Sequence, residues 1–267
     1  MPTHPSPSPA RLAPLASTDA GTGGPALLFV PGWCGDRSVF DGLLVRAAAH
    51  RRAVSVDLPD HGGSPAPGSD FGSHEVVDAL VDLVLDAGLE RVVPVGLSHA
   101  GWAAIELRRR LGAERVPGVV LLDWMVLGTP PGFADALAGL QGPAWAEVRR
   151  ELQAMWSTGV DVPALHDYVA SMGAYGATHW SRAGREIAAA FAAEPVPLDV
   201  LATLQPCPTL HLYAQPATDD HLAAQREYAA EHPWFSVCRV DARSHFPMFE
   251  VPDQLAAAIE AFTRGLG

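Results

Sequence analysis

Val92-Val-Pro-Val-Gly-Leu-Ser98-His-Ala-Gly-Trp102 is the stretch on which the fold turns. Val92–Val95 is apolar without alternation, the pattern of a strand buried on both faces. A small residue, a serine and helical spacing from Ala100 to Leu111 follow at once. A strand breaking sharply into a helix around a serine lifts that hydroxyl out at the carboxyl end of a sheet. The spacing departs from the usual G-x-S-x-G. Gly96 and Ser98 are in place, but Ala100 stands where the second glycine is expected and Gly101 follows one residue later. Alanine is still small enough for the helix to approach the strand. A serine here can also simply cap a helix, so the rest of the chain must decide.

Outward from this stretch, Ala26–Val30, Ala53–Val56, Val116–Leu122, Thr209–Tyr213 and Ser236–Val240 read as further strands, with weak edge-strand character at Leu12–Ala16. Helical spacing covers Val39–Ala49, Val76–Ala87, His221–Glu231 and Pro252–Arg264. In the second of these, Asp78, Asp82 and Asp86 lie opposite the apolar face. Strands alternating with helices predict a mostly parallel, doubly wound sheet covered on both faces. The strand pattern vanishes from Gly128 to Leu204, where Trp145–Trp156 and Arg182–Ala193 read as helices.

Asp123 ends the strand that follows the Ser98 helix, and His245 lies in a Ser-His-Phe-Pro loop after the last strand. The chain order Ser98, Asp123, His245, all at carboxyl strand ends, matches the α/β-hydrolase fold. Asp219, in Gln-Pro-Ala-Thr-Asp-Asp, is the second candidate for the acid; Asp123 is favoured because it directly ends an apolar strand. Pro31-Gly32-Trp33, just after the first strong strand, occupies the place of an oxyanion loop. The backbone N–H groups of Trp33 and His99 are expected to converge on a developing negative oxygen. His4, His50, His61 and His74 read as loop residues. The predicted organisation is a flexible leader over 1–24, an α/β-hydrolase core over 25–127 and 205–267, and a helical cap over 128–204.

Composition excludes several alternatives. A chain of 267 residues that is 48% hydrophobic can bury a substantial core and is not disordered throughout. Its net charge of −12, with all 18 cationic side chains arginine, argues against nucleic acid or an anionic membrane as partner. No apolar run approaches the ~20 residues of a membrane span. The Pro- and Ser-rich N-terminus lacks the apolar stretch of a secretory signal, which makes the cytoplasm the default location. Cys34, Cys207 and Cys238 form no paired pattern. No metal-ligand spacing and no glycine-rich nucleotide loop is present, so no metal and no cofactor is expected. Nothing resembles a coiled-coil seam, and the oligomeric state stays open.

Further residues narrow the reading. Pro31-Gly-Trp-Cys34, Ser98-His99 with Gly101-Trp102, Asp123-Trp124, Tyr213–Pro216, His232-Pro-Trp-Phe235 and His245-Phe-Pro247 together resemble the cofactor-independent 3-hydroxy-4-oxoquinoline 2,4-dioxygenases. Gly173-Ala-Tyr-Gly176, Trp180-Ser-Arg182 and Gly184-Arg185 add to the match, which runs from about Gly24 to Phe262. The resemblance implies a small N-heteroaromatic 3-hydroxy-4-ketone and O₂ as reactants, and ring cleavage with loss of carbon monoxide. It implies His245 as base, Asp123 as its orienting partner, and Ser98 as a hydrogen-bonding group for substrate. Trp33 and His99 would supply the oxyanion or peroxide pocket, and Trp156 and Trp180 would line an aromatic cavity. Two positions depart from the family: Gly35 and Leu97 each stand where it commonly has histidine. Both would be polar contacts near the substrate, so their loss leaves open a changed substrate or a different oxygenation outcome. The alternative is a serine hydrolase (esterase, lactonase or amidase) in which Ser98 attacks a carbonyl. A non-catalytic receptor for a small aromatic signal is a third reading.

Overall fold

Five of the seven strands are buried along their whole length, and three of these, Ala26–Val30, Val92–Leu97 and Val119–Leu122, accordingly carry no polar side chain. The computed structural model describes residues 12–204 and 207–266. The strands are β1 (Ser17–Ala20), β2 (Ala26–Val30), β3 (Ala53–Val56), β4 (Val92–Leu97), β5 (Val119–Leu122), β6 (Thr209–Tyr213) and β7 (Phe235–Arg239). They form one sheet in the order β1-β3-β2-β4-β5-β6-β7. Only β1 runs antiparallel, against β3; the other pairs are parallel.

The strand order places the site. From β2 the chain turns outward to β3, then returns to the other side of β2 as β4. Loops leaving the carboxyl ends of β2 and β4 therefore part in opposite directions and leave a crevice between them. Val30 pairs with Gly96, so Pro31–Cys34 and Ser98–His99 emerge side by side at this crevice.

Ten α-helices are described: α1 (Asp41–Ala48), α2 (Ser73–Asp86), α3 (Ala100–Arg115), α4 (Phe133–Leu140), α5 (Trp145–Ser157), α6 (Pro163–Ser171), α7 (Ala177–Ala193), α8 (Pro197–Thr203), α9 (Asp219–Glu231) and α10 (Pro252–Arg264). Helix α1 packs with α10, and α2 packs with α3. Helices α4 to α8 lie between β5 and β6, and α4 and α5 both pack on α7.

Some expectations shift. The edge strand expected at Leu12–Ala16 lies at Ser17–Ala20, whose residues are mostly exposed; pairing with the rim of β3, not an apolar pattern, defines it. Strand β5 begins at Val119 rather than Val116, because Pro117 lacks the N–H a ladder needs. Helices α4, α6 and α8 carried no distinct signal. All three are short, and α6 and α8 open on Pro163 and Pro197, at the one place in a helix that suits proline. Of the stretch expected as a leader, residues 1–11 lie outside the described residues and 17–20 form β1.

Candidate active site

The turn after β4 explains its own glycines. A Cβ on Gly96 would lie 2.5 Å from the carbonyl oxygen of Ala100, so only glycine lets α3 start so close to the strand. A Cβ on Gly101 would lie 2.2 Å from the Trp124 ring. The second glycine is therefore required at 101, and Ala100 is accommodated before it. Ser98 sits at the point of the turn with φ +54°, a conformation costly for a residue with a Cβ, and its N–H donates to Leu122 O at 2.8 Å.

Asp123 also has positive φ, +44°, and is 3% exposed. Its carboxylate is fully engaged. One oxygen accepts from the N–H groups of Ala214 and Gln215 at 2.6 and 3.1 Å, while the other meets His245 Nδ1 at 2.9 Å. Asp219, the second candidate acid, lies instead at the start of α9, highly exposed and paired with Arg239 at 3.0 Å. The His245 backbone N–H donates to Trp156 O at 2.9 Å. Its ring stacks on Trp156 (5.4 Å, 27°), which stacks in turn on Trp180 (6.4 Å, 25°). Among the described residues no hydrogen bond joins Ser98 to His245.

Two supporting residues escaped the sequence reading. His61, read as a loop residue, is 1% exposed; its Nε2 accepts the Cys34 N–H at 3.1 Å and its Nδ1–H donates to Pro59 O at 2.7 Å. It thereby pins the turn carrying Trp33, in which Cys34 has φ +59°. Burial lowers the His61 pKa to about 4, so the ring stays neutral and keeps its accepting nitrogen. Glu250 takes the N–H groups of Arg243 and Ser244 and the Ser244 hydroxyl, clamping the loop that presents His245. Neither residue lies in a recognisable local motif, and only the fold brings it to its partner.

The backbone N–H groups of Trp33 and His99 have no acceptor among the described residues. The His99 ring stacks on Phe133 (5.9 Å, 25°), and burial, followed by the nearby His245, lowers its pKa to about 3. A cavity of about 540 Å³ brings together Trp33, Gly35, Leu97, Ser98, His99, Asp123, Trp156, Trp180 and His245, the candidate site residues of the sequence other than Asp219. The helices between β5 and β6 add Phe133, Leu137, Leu140, Leu152 and Ile187, an apolar wall. Among the described residues no group of three or more His, Cys, Asp and Glu is placed to hold a metal ion, and no helix is long and apolar enough to cross a membrane.

A parallel sheet with Ser98, Asp123 and His245 on its carboxyl edge defines a protein of the α/β-hydrolase fold. The sequence model of the alpha/beta hydrolase family matches residues 27–258. A 2-heptyl-3-hydroxy-4(1H)-quinolone dioxygenase of Mycobacteroides abscessus is 36% identical over 237 residues, covering 88% of both chains. A 1H-3-hydroxy-4-oxoquinoline 2,4-dioxygenase of Pseudomonas putida is 31% identical, over 89% of this chain and 91% of its own. The solved structure of an AqdC variant with its substrate, described as cleaving the ring of the Pseudomonas quinolone signal, superposes with a TM-score of 0.90. It is 35% identical and covers 94% of this chain and 96% of its own. Within the α/β-hydrolase fold, this chain belongs to the 3-hydroxy-4-oxoquinoline 2,4-dioxygenases, an oxidoreductase family and not a hydrolytic one.

Proposed function

We propose that the protein cleaves a 2-alkyl-3-hydroxy-4(1H)-quinolone with O₂, without a cofactor, releasing carbon monoxide. The observation that carries this reading is a His245–Asp123 pair facing a cavity whose walls are aromatic and aliphatic. His245 takes the 3-hydroxyl proton, and Asp123, with its second oxygen tied to two backbone N–H groups, stabilises the imidazolium that forms. The electron-rich anion left behind adds O₂ at C2. The terminal peroxide oxygen then attacks C4, the O–O bond and the bonds from C3 to C2 and C4 break, and C3 leaves with its oxygen as carbon monoxide. Both atoms of O₂ stay in the ring-opened product, one at each former neighbour of C3.

Ser98 hydrogen-bonds the substrate and is not a nucleophile in this scheme. The N–H groups of Trp33 and His99, free of protein acceptors, serve the oxygen on which negative charge gathers. Trp156 and Trp180 line the cavity that takes the bicyclic ring, with Gly35 and Leu97 also in its wall. The segment 128–204 acts as a cap, and its apolar side chains take an alkyl tail at C2. A volume of about 540 Å³ falls in the usual range for sites that enclose a drug-sized ligand. The apolar lining also strengthens the attraction between His245 and Asp123.

The test is incubation of chelator-treated protein with 3-hydroxy-4(1H)-quinolones of varied 2-substituent, with and without O₂, following substrate absorbance and carbon monoxide. Substrate loss that requires O₂ and yields equimolar carbon monoxide is expected, fastest with an alkyl substituent. Turnover that proceeds equally without O₂ refutes the reading.

A further inference from the structure

Gly35 lies on the loop after β2, two residues beyond Trp33, and faces the cavity. A Cβ placed there would stand 2.3 Å from the Tyr168 hydroxyl oxygen and 3.5 Å from the ring carbon that bears it; the nearest backbone atom, Gly32 O, would be 3.4 Å away. The obstruction is thus the hydroxyl itself. Space that a side chain at 35 would use is filled by a phenol arriving from α6.

Tyr168 is held firmly. Its ring packs edge-on against Phe246 at 5.3 Å and tilted against Phe249 at 5.5 Å, and Phe246 directly follows His245. The residue is 6% exposed yet lines the cavity. Among the described residues, the one hydrogen bond made by its hydroxyl is to Asp36 O, at 3.5 Å, the outer limit for such a bond. A buried phenol with so stretched a bond has its donor and its lone pairs available to a ligand. Burial, with the Asp36 carboxylate adding to it, raises its pKa well above the ordinary value, so the hydroxyl keeps its proton across the neutral range.

We infer that Tyr168 is a positioning and specificity-determining residue whose hydroxyl hydrogen-bonds the polar edge of the bound heterocycle, and that residue 35 is glycine to leave that hydroxyl its place. The inference rests on the quinolone reading above. The hydroxyl donates to a ring oxygen or accepts from the ring N–H, and the two are separable with an N-methyl substrate.

The experiment is a double-mutant cycle on Gly35→Ala and Tyr168→Phe, reading anaerobic quinolone Kd by fluorescence, steady-state KM and kcat, and Tm. Tyr168→Phe is expected to raise Kd and KM together by about tenfold, the worth of one hydrogen bond, with Tm lowered by no more than a few degrees. Gly35→Ala in the wild-type background is expected to cost at least as much, because the added methyl displaces the hydroxyl. In the Tyr168→Phe background the same methyl meets only ordinary contacts, and its added cost falls below twofold. Such coupling is what a shared space produces. With N-methylquinolone, a vanished Tyr168→Phe penalty identifies the ring N–H as partner, and a retained one identifies an oxygen. Wild-type turnover with Kd unchanged in Tyr168→Phe, or additive effects of the two substitutions, overturns this inference alone. A wild type that neither binds nor converts any quinolone overturns the functional reading and this inference with it.

Discussion

Replacing Asp123 by asparagine exchanges one oxygen for an NH₂ group and removes one charge, and the structure gives neither amide orientation a satisfactory fit. With the NH₂ toward Ala214 and Gln215, two backbone donors that now sit 2.6 and 3.1 Å from a carboxylate oxygen would face a third donor. With the NH₂ toward His245, the imidazole must accept at Nδ1 and so carry its proton on Nε2, the nitrogen needed to take a proton from substrate. The second arrangement keeps every buried hydrogen bond, so asparagine is expected to lock His245 in the tautomer that cannot act as base. The lost charge adds to this. For a contact of 2.9 Å, with charge centres about 4 Å apart, attraction between imidazolium and carboxylate is worth about 4 kcal/mol at an effective dielectric constant near 20. That corresponds to about a thousandfold in rate. The assay is kcat/KM for O₂-dependent quinolone loss, with Tm and anaerobic substrate binding as controls. Asp123→Asn protein that stays folded, binds substrate and retains kcat/KM within tenfold of wild type would refute the reasoning.

His245→Ala is expected to abolish O₂-dependent turnover, whereas Ser98→Ala retains most of it; equal loss in both, together with labelling of Ser98 by a serine-directed probe, would favour hydrolysis. His61→Leu strands the buried Cys34 N–H and Pro59 carbonyl, so thermal or denaturant unfolding should show a loss of about 2–4 kcal/mol, and kcat/KM should fall as the Trp33 loop loosens. Acid should destabilise the fold through His61 and His211, both fully buried and both lowered by burial to a pKa of about 4. The unfolded chain protonates these rings below about pH 6.5 while the folded chain stays neutral. Their stabilisation is therefore present above pH 6.5 and lost toward pH 4. Each contributes a loss of about 2 kcal/mol between pH 7.5 and 5, measurable by denaturant titration across that range. Replacing both with apolar residues should make that slope shallower, leaving the share of His99, and an unchanged slope would contradict it.

What the sequence determined by itself was whatever follows from burial along a continuous stretch. Uninterrupted apolar runs mark β2 and β4, and largely apolar runs carrying Ser55 or Thr209 and His211 mark β3 and β6, all at or within two residues of their ends, because a strand covered on both faces has little polar side to show. Once those strands are ordered, Ser98, Asp123 and His245 fall at carboxyl ends, and the choice of Asp123 over Asp219 follows from which one directly terminates a strand. The tertiary structure decided what depends on residues far apart in the chain. His61 meets Cys34 across 27 residues and Tyr168 reaches the Gly35 loop across more than 130, and no local periodicity encodes either meeting. The exposed edge strand β1 and the short helices α4, α6 and α8 were likewise invisible or poorly placed, since pairing and packing, not their own patterns, hold them. A glycine at 35 reads in the sequence as a missing side chain; in three dimensions its place is taken by a hydroxyl from another helix, because the cavity wall is closed by contact and not by chain order.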